Sequence, residues 1–191
     1  MTSNILLNPD RDQEKLSTKE KMLLAGIRLF SDHGFEATTT RMLADAVGSN
    51  NAVVYSHFGT KENFYSEVLN AVAESIQTTF QPLQDEITGS RNAGPFYPNA
   101  AWFYIEKYVD MYIDIIKNPD NNRILYLLLH EQTNPVNDHR PITRVACQQG
   151  ELMLVQLLFD YWQITDRLST LEIYKRAVHS LPQLRIFHVY H

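Results

Sequence analysis

Two short helical segments separated by a four-residue turn constrain the fold of this chain more than any other feature. Apolar spacing predicts one helix over about 40–46 and another over about 51–57. The turn between them contains a glycine, and Ser49 or Asn50 can cap the second helix. This arrangement is typical of helix-turn-helix units, whose second helix reads the major groove of DNA. We therefore predict a DNA-reading unit around these residues.

Longer helices are predicted on both sides of this pair. The first begins at a cap on Ser17 or Thr18, carries an apolar stripe at helical spacing and stops near Gly34. After the second short helix the chain turns, and Thr60 caps a further helix that starts at Lys61 and runs into the seventies. Three helices and the start of a fourth therefore make up the predicted unit.

Polar side chains at the start of the first short helix and along the second are the candidate DNA contacts. An asparagine can pair with adenine in the major groove, while hydroxyl and guanidinium groups suit phosphate oxygens. A lysine in the first turn of a helix is disfavoured by the helix dipole, but it is favourable where a phosphate lies opposite. The candidate DNA-binding residues are Thr39, Thr40, Arg41, Ser49, Asn50, Asn51, Tyr55, His57 and Lys61.

Structural roles compete with DNA contact at several of these positions. Asn50 and Asn51 can cap a helix as well as read a base, and Arg41 can lie on a solvated face. Lys61, taken alone, is an ordinary surface lysine. Phe58 is expected in the core, because an aromatic residue before a turn usually locks two helices together. Both roles stay open for Asn50, Asn51 and Arg41.

In combination, these residues resemble the DNA-binding domain of the tetracycline-repressor (TetR) family. The resemblance rests on the stretch TTTRMLADAVGSNNAVVYSHFGTKENFYSEVLNAV. The positions that match the family pattern are Thr40, Ala44, Ala46, Gly48, Ser49, Tyr55, His57, Phe58, Lys61 and Glu62. Three features depart from it. Met42-Leu43-Ala44 stands where Ile-Ala is usual, the turn reads Ala-Val-Gly-Ser instead of Ala-Gly-Val-Ser, and the recognition helix lacks Lys and Arg. The resemblance implies a DNA-binding domain over 17–72, followed by a helical effector-binding and dimerisation domain over 73–191.

Net charge and cysteine content limit the other classes of function. The net charge of −5 and pI near 5.8 argue against a protein that coats nucleic acid, because neutralising phosphates requires excess Lys and Arg. A small DNA-reading face on an acidic body is compatible with these values. Cys147 is the single cysteine, so no internal disulfide can form. The start of the chain, expected to be a flexible arm over 1–16, is unlike a signal peptide, and no apolar run reaches the roughly 18 residues that span a bilayer. We expect a cytoplasmic protein with no membrane partner.

The rest of the chain is predicted to be helical, which makes the expected fold class all-α. Helical spacing recurs after a boundary rich in Pro and Gly over 88–98, while the tail over 182–191 has no assignment. The predicted helices of this region are 100–117, 121–132, 142–162 and 169–179.

Aromatic residues crowd two of these helices. Aromatic side chains fill cores and also line ligand pockets, and both roles are open for each of them. The resemblance implies a small-molecule effector, whose identity the sequence does not give. The candidate effector-pocket residues are Trp102, Phe103, Tyr108, Met111, Tyr112, Tyr126 and His130.

Titratable residues in the same region give no catalytic pattern. Three acidic residues four positions apart indicate one solvated helix face, with a cation-binding wall as the alternative; they are Glu106, Asp110 and Asp114. Four residues of metal-ligand type have a spacing that matches no standard site; they are His130, Glu131, Asp138 and His139. We therefore predict no metal, no cofactor and no enzyme activity, and we expect Cys147 in the core.

The last two predicted helices, over 142–162 and 169–179, are expected to form the dimer interface, two from each subunit. The helix over 142–162 is apolar on more than one side, which is typical of burial against a partner. We therefore expect a homodimer that presents two recognition helices to a palindromic operator in double-stranded DNA. The predicted function is a one-component transcriptional regulator, a repressor that a small-molecule effector releases from its operator. The alternative is an all-helical small-molecule-binding protein or enzyme without DNA binding. The sequence does not separate a repressor from an activator.

Overall fold

Seven helices make up the part of the chain that the computed structural model describes, residues 16–133, 136 and 140–162. They are α1 (Thr18–Ala37), α2 (Thr40–Ala46), α3 (Asn51–Phe58), α4 (Lys61–Ala93), α5 (Pro98–Lys117), α6 (Pro119–Thr133) and α7 (Arg140–Trp162). No strand occurs within the described ranges, so the predicted all-α fold class is confirmed. The helix predicted over 169–179, the tail and nearly all of the N-terminal arm lie outside the described residues.

α1 begins at a capping box and changes conformation at a glycine. The Ser17 side-chain oxygen accepts a hydrogen bond from the Glu20 amide at 3.3 Å, and the Glu20 carboxylate accepts one from the Ser17 amide at 2.8 Å. Gly34 has a φ of 76°, a left-handed conformation that favours glycine, and a last turn ends at Ala37. The predicted cap and stop signals therefore both act, although the helix continues briefly beyond the glycine.

Aromatic and aliphatic side chains form the core between α1 and α4. Phe30 is fully buried, and its ring centroid lies 4.8 Å from that of Tyr65 and 5.9 Å from that of Phe64. At Gly26, an added Cβ would lie 2.7 Å from Val68 Cγ2 and 2.8 Å from Phe64 Cζ. The missing side chain at Gly26 therefore allows the two helices to approach closely.

α4 is longer than predicted. It continues as one helix through Pro82 and through much of the boundary predicted over 88–98, and it ends at Ala93. The buried side chains on this extension are Phe80, Leu83 and Ile87, whereas Pro82 and Gly89 are exposed. Packing of the apolar side therefore outweighs the cost of a proline and a glycine in the helix. The break falls instead at residues 94–97.

Contacts divide the chain into two compact units. They are Met1–Thr79 with Ile115–Ala146, and Phe80–Asp114 with Cys147–His191. Among the described residues, the first unit contains α1 to α3, the first part of α4, and α6. The second unit contains the rest of α4 and most of α5 and α7. The functional domains expected over 17–72 and 73–191 are a different division and remain a prediction.

Two polar contacts attach α6 to the other helices of the first unit. The Tyr65 hydroxyl of α4 donates to Glu131 Oε2 at 2.8 Å, and both side chains are buried. The Val136 amide lies 3.2 and 3.3 Å from the two oxygens of the same carboxylate. On the surface, Arg123 Nη1 lies 2.6 Å from Asp32 Oδ2 of α1. As a result, α6 shares a core with the helices that position α2 and α3.

Candidate nucleic-acid interface

Side-chain caps start both short helices. Thr39 caps α2, where its hydroxyl oxygen accepts a hydrogen bond from the Met42 amide at 3.2 Å. Asn50 caps α3 in the same way, with Oδ1 accepting from the Val53 amide at 3.1 Å. The predicted choice between Ser49 and Asn50 is thereby resolved in favour of Asn50. Capping and base reading compete for the same Asn50 oxygen.

The turn between α2 and α3 depends on Gly48. Its φ of 65° lies in the left-handed region, and an added Cβ would meet no atom within 4 Å. The requirement for glycine here is therefore conformational and not steric. The Ser49 amide donates a hydrogen bond to the Ala44 carbonyl at 2.9 Å, and the Gly48 amide donates one to the Asp45 carbonyl at 3.2 Å. These bonds close α2 and fix the direction in which α3 starts.

α3 has a buried side and an exposed side. Val54 and Phe58 are 3% and 6% exposed, and the Phe58 ring centroid lies 4.4 Å from that of Phe64. The predicted core position of Phe58 is thus confirmed. Tyr55, by contrast, is 52% exposed. α3 therefore offers solvent a polar surface that includes one large aromatic side chain.

The candidate DNA-binding residues lie at the start of α2, in the turn, along α3 and at the start of α4. The exposed ones are Thr39, Arg41, Asn50, Asn51, Tyr55 and His57, and the partly buried ones are Thr40, Ser49 and Lys61. None of them is fully buried. Their contact with DNA remains a prediction.

Lys61 points its ammonium group at the C-terminal end of α1. Its Nζ donates to the Phe35 carbonyl at 2.9 Å and the Thr38 carbonyl at 3.1 Å, and it lies 3.5 Å from the Glu36 carbonyl. The same nitrogen lies 4.2 Å from the centroid of the Phe35 ring. The structure therefore gives Lys61 partners within the protein, and the phosphate contact predicted for it remains a prediction.

Sequence reasoning did not find the pairing of Tyr65 with Glu131. The two residues are 66 positions apart, and no local pattern connects them. Burial, reinforced by the hydrogen bond and the charge of Glu131, raises the pKa of Tyr65 well above its usual value. Glu131 appeared in the sequence only as one of four residues of metal-ligand type, so its structural role had no signal of its own.

The candidate effector-pocket residues occupy several different environments. Tyr108 is buried in the second unit, with its ring centroid 5.6 Å from that of Phe80 and 6.1 Å from that of Tyr112. Trp102 and Phe103 are 46% and 52% exposed on α5. Met111 and Tyr112 are partly buried, while Tyr126 and His130 belong to the first unit and are exposed. Effector contact by any of them remains a prediction.

Metal binding finds no support among the described residues, where no group of three or more His, Cys, Asp or Glu side chains could hold an ion. Glu106, Asp110 and Asp114 are exposed, and Glu106 accepts a hydrogen bond from Trp102 Nε1 at 2.8 Å. The positions of Asp138 and His139, and the side chain of Cys147, lie outside what the structure describes.

Among the described helices, none combines the length and the hydropathy that a membrane-spanning segment needs.

The capped pair α2–α3, supported by α1 and α4, forms a helix-turn-helix unit, and the other elements of the described residues are all helices. Residues 22–68 match the family described as "Bacterial regulatory proteins, tetR family". This match confirms the predicted resemblance to the TetR family over α1 to the start of α4.

Two transcriptional regulators are similar to this chain over part of their length. The HTH-type transcriptional repressor KstR2 of Mycolicibacterium smegmatis is 31% identical over 80 residues, which cover 42% of this chain and 39% of that protein. The negative transcriptional regulator IcaR of the biofilm operon icaADBC in Staphylococcus aureus is 26% identical over 110 residues, 53% of this chain and 55% of its own. The chain thus spans about half, or less, of the length of these relatives.

The fold has a counterpart among solved structures over most of the chain. The TetR family transcriptional regulator PfmR from Thermus thermophilus superposes with a TM-score of 0.60, covering 92% of this chain and 88% of PfmR. The two sequences are only 17% identical. The likeness therefore concerns the fold, including the helical body beyond residues 22–68.

Proposed function

We propose that this chain is a one-component transcriptional regulator, a repressor that binds its operator through α2 and α3 and that a small-molecule effector releases. The observation that carries the proposal is the exposed polar side of α3, held in place by the buried Val54 and Phe58 within a segment that matches the TetR family. The names of KstR2 and IcaR, a repressor and a negative regulator, support the same sign of regulation.

Base reading in this proposal depends more on hydrogen bonds than on charge. α3 carries neither Lys nor Arg over Asn51–Phe58, and Arg41 on α2 has a side chain that is 84% exposed. Each cation that neutralises a phosphate steepens the slope of log K against log salt concentration by about 0.9. We therefore propose a shallow salt dependence, with Asn51 and Tyr55 among the residues that meet the duplex.

Release requires that an effector alter the helices that hold α2 and α3. α6 is suited to this role, because it contacts α4 through Tyr65 and Glu131 and α1 through Arg123 and Asp32. A coupling of about 1–3 kcal/mol would weaken operator binding about 5- to 150-fold. Of the candidate effector-pocket residues, Tyr108 is the one fully within a core, so aromatic packing in the second unit competes there with effector contact.

Dimerisation through α7 is part of the proposal. Val155 and Leu157 are buried within the chain, while Leu152 and Trp162 on the same helix are 45% and 52% exposed. A helix that is apolar on more than one side is typical of burial against a partner. A two-fold dimer would present two copies of α3 to a palindromic operator.

The experiment is a fluorescence-anisotropy titration of DNA from upstream of the protein's own gene. Asn51→Ala and Tyr55→Ala should each weaken binding while circular dichroism shows an unchanged fold, because both side chains are exposed. Asp110→Ala, an exposed change on α5, is the control that should leave binding intact. Equal binding by wild type and both α3 variants, or no binding to any duplex offered, would overturn the proposal.

A helical small-molecule-binding protein or enzyme without DNA binding is not favoured, because the matched segment and the named relatives are regulatory. We further propose that the protein has no enzymatic activity and acts in the cytoplasm. A ligand that binds the purified protein without changing its operator affinity would argue for this alternative.

A further inference from the structure

The C-terminal end of α1 presents backbone carbonyls that lack partners within the helix, as every helix end does. Thr38, which is fully buried, satisfies some of them. Its hydroxyl donates to the Gly34 carbonyl at 2.8 Å and lies 3.2 Å from the Leu29 carbonyl, while its amide donates to the Phe35 carbonyl at 3.3 Å. Unpaired buried carbonyls are costly, so this end of α1 depends on donors from other residues.

Lys61 is the donor that comes from another helix. Its ammonium nitrogen reaches the carbonyls of Phe35, Glu36 and Thr38 at 2.9, 3.5 and 3.1 Å. An ammonium group has three N–H donors. Two of them bind the Phe35 and Thr38 carbonyls, and the Glu36 carbonyl lies at the limit of hydrogen-bond distance from the same nitrogen. The Phe35 ring, 4.2 Å from the nitrogen, adds a cation–π contact.

The helix dipoles explain the same arrangement. A cation in the first turn of α4 is unfavourable for that helix, but the ammonium of Lys61 lies at the C-terminal end of α1, where the dipole favours a positive charge. The interaction of the ammonium with the end of α1 therefore offsets the unfavourable interaction with the α4 dipole, and no phosphate is required. An aliphatic or shorter side chain at this position would leave the α1 carbonyls without their charged donor.

We propose that Lys61 is a positioning residue for DNA reading: it caps α1 and thereby fixes the residue from which α2 starts. Thr38, whose carbonyl Lys61 binds, directly precedes Thr39, the N-cap of α2. α2 in turn sets the turn at Gly48 and the direction of α3. This role replaces the phosphate contact predicted for Lys61, and it rests on the proposed function in DNA binding.

The test compares Lys61→Met and Lys61→Arg with wild type in the full chain. Operator affinity is measured at several salt concentrations, at a temperature where circular dichroism shows each variant folded. Lys61→Met should bind about tenfold or more weakly, the size of a lost charge-assisted hydrogen bond, with an unchanged slope of log K against log salt. Lys61→Arg should also bind more weakly than the wild type, because a planar guanidinium does not fit the converging carbonyls. Arg41→Gln serves as the comparison, since loss of a true phosphate contact lowers the slope by about 0.9.

Amide hydrogen exchange supplies a readout that does not require DNA. In Lys61→Met, exchange across α2 and the start of α3 should accelerate, whereas Arg41→Gln should leave it unchanged. A slope that falls by about 0.9 in Lys61→Met, full affinity in Lys61→Arg, or unchanged exchange in α2 would each overturn the positioning role. Failure of the wild type to bind any duplex would instead overturn the proposed function, and exchange would still decide the role of Lys61.

Discussion

Tyr65 on α4 and Glu131 on α6 form a hydrogen bond of 2.8 Å inside the protein, with 2% and 0% of their surfaces exposed. A buried carboxylate needs donors, and the Tyr65 hydroxyl and the Val136 amide are two of those that Glu131 has. The pair joins α4 to α6, so it bears both on stability and on the proposed coupling between effector binding and operator release.

The raised pKa of Tyr65 predicts a loss of stability at alkaline pH. In the unfolded chain the phenol ionises near its usual pKa of 10.0, whereas in the folded protein burial and Glu131 keep it protonated. The contribution of the protonated Tyr65 to the free energy of unfolding is therefore complete below pH 10.0. It declines as the pH rises above that value, by at most about 1.4 kcal/mol per pH unit. Tyr65→Phe should flatten the fall of the unfolding free energy between about pH 9 and about pH 11. Tyr55→Phe, at an exposed position, should leave it unchanged; equal flattening in both variants would contradict the assignment.

The two contacts of α6 should differ in strength, in the reverse order of their lengths. Tyr65→Phe at neutral pH should lower the free energy of unfolding by about 1–3 kcal/mol, because Glu131 loses a donor inside the core. Asp32→Asn should cost only about 0–1 kcal/mol, although the Asp32–Arg123 distance is 2.6 Å, because those side chains are 48% and 35% exposed. Urea unfolding of both variants checks the order. A larger loss for Asp32→Asn would show that the surface pair, and not the buried one, attaches α6.

Features that depend on neighbouring residues could be predicted from the sequence. The cap on α1, the bounds of α2 and the cap that Thr60 gives to α4, accepting from the Asn63 amide at 3.1 Å, all follow from chemistry within a few positions. The core position of Phe58 follows from the same local pattern. Most of the helix-turn-helix unit could therefore be predicted from residues a few positions apart in the sequence.

Features that depend on distant partners could not be predicted. The continuation of α4 through Pro82 reflects side chains buried along its apolar side, which a count of helix breakers ignores. The ammonium of Lys61 binds carbonyls 23 to 26 positions earlier in the chain, and Glu131 binds a tyrosine 66 positions away. The sequence identified Lys61 as unusual for a helix start, but the partner that explains it became visible only in three dimensions.

The close packing of α1 against α4 at Gly26 leaves no room for a larger side chain. Gly26→Ala should lower the free energy of unfolding by about 1–3 kcal/mol, because the new Cβ would lie 2.7 Å from Val68 Cγ2. Val68→Ala should cost less stability in the Gly26→Ala background than in the wild type, because the smaller side chain makes room for the new Cβ. Gly89→Ala is the control: it lies within α4, its Cβ would meet no atom within 4 Å, and the change should stabilise by about 0.5–1 kcal/mol. Thermal unfolding that ranks the two glycines alike would contradict the close packing at Gly26.

Asn50 and Asn51 should separate capping from base reading. The Asn50 oxygen is used by the Val53 amide, so Asn50→Ala should cost about 1 kcal/mol of stability, while Asn50→Ser should retain the cap. Asn51 is exposed in the first turn of α3, so Asn51→Ala should leave stability unchanged. In selection from random duplexes, Asn51→Ala should relax the preference at one base pair, an A·T pair because asparagine matches adenine, by about 1–3 kcal/mol. Asn50→Ser should retain the wild-type profile. If Asn50→Ser changes the selected bases and Asn51→Ala does not, the roles of the two asparagines are the reverse of those inferred from the structure.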